Sequence, residues 1–263
     1  MDEHDAAGVI RGTFSQLDIW RAIEGPFLPG SGSQLKADDD DWPPMPISQV
    51  AWMGMTASLD HLLAIRWHLD APKGGTIRLF PFAHYSLCRS ALLGAAQSVW
   101  VLAPDSSTER IKRARTVVAF LQEQHLVYLK GLQAWADAPD SSTDAVAAHV
   151  TTRSGELTAK RLADGQKSPL AATVMIREAA QAAWGAGSLA EELVLAWREG
   201  SGAAHALIWP LLGQQDTVQL SGPDAHGRAS FVAGGSFARI AQNYMAAYRM
   251  LDHGWMLLRR RGL

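Results

Sequence analysis

Apolar residues in this chain recur mostly at three- and four-residue intervals, the spacing that gathers them on one face of an α-helix. The pattern from Ile47 to about Asp70 predicts a first long helix, stopped by Pro72, Gly74 and Gly75. A second begins at Thr76 or Pro81 and runs to Leu102. Pro104 ends it, because proline lacks an amide donor and crowds the preceding turn. Ser106-Ser107-Thr108-Glu109 reads as a capping box, in which the serine oxygen and the glutamate satisfy free amides, and opens a third helix to about Ala136. Ser141 to Asp144 starts a fourth, more polar helix that reaches about Asp164, before Gly165 and Pro169. Ala171 to Trp184 gives a fifth, ended by Gly185 and Gly187. Ser188-Leu189-Ala190-Glu191 repeats the capping box and opens a sixth, through Trp197 to about Leu212.

The flanks read differently. A short amphipathic segment from Phe14 to Ile23 precedes Gly25 to Pro46, a stretch rich in Gly, Pro, Ser and Asp that predicts a long surface loop. Asp38 to Asp41 fall inside it, and their unbroken run lacks the alternation with turn glycines that a calcium loop needs, so they are read as solvated. Thr217 to Leu220 and Ala229 to Val232, joined through Gly222, Pro223, Asp224 and Gly227, predict a β-hairpin. Ser236 then caps a last helix with Ile240, Tyr244, Ala247, Tyr248 and Leu251 on its apolar face. No fixed-period repeat suggests a solenoid. The expected fold class is all-α: a single-domain bundle of about seven or eight helices with a small β-hairpin before the C-terminal helix. Residues 1–46 supply an N-terminal helix and a flexible acidic Pro/Gly loop, and residues 47–263 the helical core.

Composition supports one continuous core and narrows the partners. The chain has 263 residues, 48% of them hydrophobic and 19% charged, which suits a large buried interior. A net charge of −2 offers no global basic field, so duplex DNA and anionic membrane are not expected as partners. Arg259, Arg260 and Arg261 read as a solvated helix end. Cys88 is the only cysteine, which excludes an intramolecular disulfide or a thiolate metal cluster and leaves it as a small buried apolar residue. The acidic first residues carry no signal-like apolar run, and no stretch approaches 18 apolar residues, so a cytoplasmic location is expected.

Helical bundles often house di-iron sites through paired Glu-x-x-His motifs, and none occurs here. His61 and His68 share a helix face seven residues apart, which leaves a mononuclear site geometrically open but without a second ligand cluster. Gly-x-Gly-x-x-Gly, the phosphate-loop motif and Gly-x-Ser-x-Gly are absent, so neither a metal nor an organic cofactor is expected. What remains is Trp197-Arg198-Glu199-Gly200-Ser201-Gly202-Ala203-Ala204-His205. On a helix, seven steps of about 100° bring Arg198 and His205 to one side, about 10 Å apart along the axis. A histidine supplies an acid or base near neutral pH and an arginine a fixed cation, the two needs of metal-independent RNA cleavage.

In Arg198, six residues, then His205, the chain resembles the HEPN superfamily, helical domains whose ribonuclease members carry Arg and His four to six residues apart. Asp60-His61-Leu62, Arg89 through Trp100, Leu102, Pro104, Arg110, Arg113, Ser201-Gly202, His205 and Trp209 are also similar to helical proteins of high-GC actinobacteria. The resemblance implies a metal-independent endoribonuclease of stress or phage defence acting on RNA or a nucleotide. It also implies a homodimer meeting along the motif helices. Arg198 and His205 would be catalytic, with Asp60, His61, Arg89, Ser201, Trp197 and Trp209 supporting or ligand-binding. Those relatives carry a glutamate one turn after the arginine equivalent to Arg89, where this chain has Gly94.

Blander readings stand beside it. Arg198 pairs with Glu191 or Glu192 and His205 makes a buried hydrogen bond. The ten tryptophans form core, or else line a pocket for a small ligand or a partner-binding face. Gly200 and Gly202 each weaken a helix by about 1 kcal/mol against alanine, so they mark either close approach of another backbone or a local kink.

Overall fold

The computed structural model describes residues 1–43, 45–70, 77, 79–135, 141–166, 170–212 and 217–263. Among them run ten α-helices: α1 Glu3–Arg11, α2 Phe14–Arg21, α3 Gln34–Asp41, α4 Ile47–Leu69, α5 Pro81–Leu102, α6 Ser107–Trp135, α7 Ser141–Ala163, α8 Ala172–Trp184, α9 Ser188–Ala204 and α10 Phe237–Gly262. A two-stranded antiparallel hairpin, β1 Val218–Gln219 and β2 Phe231–Val232, precedes α10, so the fold is all-α as expected. The stop expected at Pro72, Gly74 and Gly75, the start at Thr76, the end at Ala136 and the break at Pro169 lie outside the described residues.

α5 is the central helix. Its C-terminal half is buried almost all round, from Ala95 and Ala96 through Val99, Trp100, Val101 and Leu102, the signature of a helix enclosed by others. α4 lies antiparallel to it, because Ser98 Oγ donates to the Ala51 carbonyl at 2.7 Å while His68 meets His84 at the other end. The crossing is glycine on glycine. A Cβ on Gly54 would sit 2.5 Å from the Gly94 carbonyl, and one on Gly94 would sit 2.5 Å from that of Gly54. α10 runs parallel to α5, with Tyr85 Oη donating to the Arg239 carbonyl at 3.2 Å and Gly254 seated near Val99. Trp20, Trp52 and Trp255 form an aromatic knot among α2, α4 and α10, Trp20 and Trp255 stacked at 6.0 Å. α7 packs on the outer part of α6 around a satellite cluster of Leu129, Ala147 and Val150.

Several expectations are corrected. Residues 34–41 are not loop: Ser33 caps α3, and the acidic run is structural. Asp38 is buried and accepts two hydrogen bonds from Arg110, at 2.6 and 2.9 Å, while Asp39 holds the amide and hydroxyl of Ser48 at the start of α4. The pattern of residues 3–11 also conceals α1, whose Ala6 and Ile10 are fully buried. Arg261 is not solvated. It is 3% exposed and donates to the Leu102 and Ala103 carbonyls, capping α5 where that helix leaves carbonyls without partners. α9 ends at Ala204, short of Leu212; Ala206 turns to φ 57° and Trp209–Leu211 make a 3-10 turn. The N-cap of α9 is Gly187, with no side-chain cap, so Ser188 does not close the expected box.

Candidate functional site

α9 carries Trp197, Arg198, Ser201 and, as its C-cap, His205. The amide of His205 still donates to the Ser201 carbonyl at 3.1 Å, so the helical path persists to that position and keeps Arg198 and His205 on one side. Both side chains are exposed, and neither has a hydrogen-bond partner among the described residues. The expected pairing is met only as a longer-range charge interaction of Arg198 with Glu191. Glu191 is held by Arg177 at 2.9 and 3.3 Å, which with the nearby charge of Arg198 keeps its carboxyl below the usual range, and His205 is not buried.

Three of the sequence-selected residues do meet. Arg89 of α5 donates from Nε to Ser201 Oγ at 2.8 Å and lays its guanidinium 5.5 Å from the Trp197 ring centre. This cluster fastens α9 to α5. Gly200 is required there, since a Cβ would meet Arg89 Cβ at 2.5 Å and the Tyr85 carbonyl oxygen at 2.7 Å. A Cβ on Gly202 would meet the Trp209 ring at 2.7 Å, and Trp209 packs on the helix end while 47% exposed. The expected approach of another backbone is met at Gly200 by α5 of the same chain, whereas at Gly202 the close neighbours are side chains, Trp209 and Pro210. Asp60 is exposed on α4 and His61 half-buried; burial lowers the His61 pKa, with Asp60 opposing.

His68 does not complete a site with His61. Phe80 N–H donates to His84 Nδ1 at 3.2 Å, so His84 carries its proton on Nε2 and donates to His68 Nδ1 at 3.2 Å. His84 is fully buried, and desolvation together with His68 pushes its pKa down to about 4. Among the described residues no group of three or more His, Cys, Asp or Glu side chains is placed to hold a metal ion. No described helix is long and apolar enough to cross a membrane.

Two of the concavities among the described residues lie away from α9's motif. A cleft of about 580 Å³ lies among α5, α6 and α8 and the end of α7. Its charges are already matched. Arg113 donates to Glu109 at 3.2 Å and the Trp100 carbonyl at 2.9 Å, Trp100 Nε1 donates to Glu178 at 2.7 Å, and Arg115 donates to Asp164 at 2.7 Å. The second, of about 320 Å³, opens between α1, the α8–α9 corner and α10. Leu189, Leu193, Ala241, Met245 and Ala246 line it, Trp184 forms one side, and the exposed Glu192, Gln242 and Arg249 stand at its rim. Glu192 and Arg249 have no ion-pair or hydrogen-bond partner among the described residues, one another included. In the sequence Trp184 is one of many helical tryptophans. The signal available was the stripe Ala241, Met245, Ala246, Arg249 on α10, in which an apolar face ends in a lone cation. No family model, curated protein or solved structure matches this chain.

Proposed function

We propose that this chain is a helical binding protein that takes a small, mostly apolar ligand in the pocket between α1, α8–α9 and α10. The observation that carries the reading is a concavity of about 320 Å³ with an apolar floor and a few polar groups confined to the rim. That is the usual construction of a small-molecule site, in which burial of apolar surface supplies affinity and rim groups supply orientation. Titration calorimetry with 3-methylindole tests it. The wild type is expected to give a saturable isotherm that disappears in Ala246→Leu, a variant that fills the floor and whose fold is checked by circular dichroism. No saturable binding of this probe to the wild type would refute the reading.

A second reading is favoured by the exposure of Arg198 and His205, whose side chains have no hydrogen-bond partner among the described residues. On it the chain is a HEPN-like endoribonuclease, with His205 as general acid or base and Arg198 stabilising the charge that develops on phosphorus. A homodimer would complete the site. The local field opposes it, because Glu191, Glu192 and Glu199 outnumber Arg198 along α9. Cleavage of labelled RNA in EDTA, abolished by His205→Ala and by Arg198→Ala, would support this reading; an inactive wild type would remove it.

A further inference from the structure

Resting on the pocket reading above, we infer that the ligand is a zwitterion: an apolar amino acid whose side chain fills the floor and whose ammonium and carboxylate bridge Glu192 and Arg249. The two charges come from different walls. Glu192 belongs to α9, on the stripe that also carries Leu189 and Leu193, and Arg249 to α10, one turn beyond Met245.

Opposite charges at the rim of one pocket ordinarily close into an ion pair when their side chains reach. Here they stay more than 4.0 Å apart, and no other described residue neutralises either one. Arg177 has already claimed the neighbouring Glu191, so the carboxylate left over on this wall is Glu192. A purely anionic ligand would meet Arg249 but face Glu192, and a purely cationic ligand the reverse. A head group carrying both charges satisfies both walls at once, and Gln242 on the same rim offers a further donor and acceptor. The volume limits the body to a single aromatic or branched aliphatic group. The floor has no buried charge for a polar side chain to meet, because Leu193, Ala241 and Ala246 are all at most 8% exposed and apolar.

The test compares four ligands that share one body: tryptophan, indole-3-propionate, tryptamine and 3-methylindole, titrated calorimetrically into the intact protein. Tryptophan is expected to bind about tenfold more tightly than 3-methylindole, a difference of about 1.4 kcal/mol. Indole-3-propionate and tryptamine should gain nothing over 3-methylindole. Arg249→Gln and Glu192→Gln, both surface changes that leave the core intact, should each bring tryptophan back to the affinity of the neutral probe. Equal affinity for all four ligands would overturn the zwitterion while leaving the pocket in place. So would tight binding of indole-3-propionate that Glu192→Gln does not alter. If 3-methylindole gives no saturable binding, the pocket reading itself falls.

Discussion

Replacing Gly94 by alanine separates what the helix gains from what its neighbour loses. Intrinsically the change favours α5 by about 1 kcal/mol, because alanine loses less backbone entropy on folding than glycine. The new methyl, however, would lie 2.5 Å from the Gly54 carbonyl oxygen and 3.2 Å from the Ser58 amide nitrogen, where ordinary contact begins near 3.4 Å. Both obstacles are backbone, so relief requires α4 and α5 to part by nearly an ångström at the middle of their crossing. Overpacking of that kind costs about 1–3 kcal/mol and more where the frame is rigid. Gly94→Ala is therefore expected to destabilise by up to about 2 kcal/mol net, lowering the melting temperature by about 2–4 °C per kcal/mol in a chain of this size. Gly155→Ala is the control, since a Cβ there meets nothing within 4 Å and α7 is exposed at that point. It should stabilise by about 0.5–1 kcal/mol. Urea denaturation of both variants checks the pair, and a Gly94→Ala protein as stable as Gly155→Ala would refute the argument.

Three further outcomes are expected. The pKa of His84 lies near 4 against an ordinary 6.5, so the unfolded chain takes up a proton first as pH falls. Stability should be full above about pH 6.5 and decline towards pH 4, by at most about 3 kcal/mol; urea midpoints from pH 7.5 to 4.5 measure it, and His84→Gln should flatten the slope. Asp38→Ala strands the buried Arg110 guanidinium and should cost about 3–5 kcal/mol, whereas the paired change Asp38→Leu with Arg110→Met should cost less; equal losses in thermal melts would contradict this. Arg261→Gln removes the donors that cap α5 and should cost about 1–3 kcal/mol, against less than about 0.5 kcal/mol for Arg260→Gln, whose side chain is exposed.

Local chemistry was enough to place most of the helices. The apolar period located α4, α5, α6 and α10, and proline and serine marked their ends, because these signals act within one or two turns of chain. Turn residues between two short alternating runs, Thr217 to Leu220 and Ala229 to Val232, also located the hairpin, while its register, Val218 opposite Val232, is read from the structure. The same reasoning failed on Asp38 and Arg261. By type and neighbours each is a solvated charge, and only a partner far along the chain, Arg110 for one and the end of α5 for the other, makes burial affordable. Tertiary structure likewise decided the candidate site. Arg198 and His205 share a side of α9 as their spacing required, but whether they were buried, paired or free depended on which face α5 covers, and Gly200 against Arg89 fixed that face. The pocket had only one wall with a local signature, the α10 stripe of Ala241, Met245, Ala246 and Arg249. Trp184, Glu192 and Arg249 stand on three helices, and a void exists only where three packed surfaces fail to close, a property of their arrangement rather than of any segment.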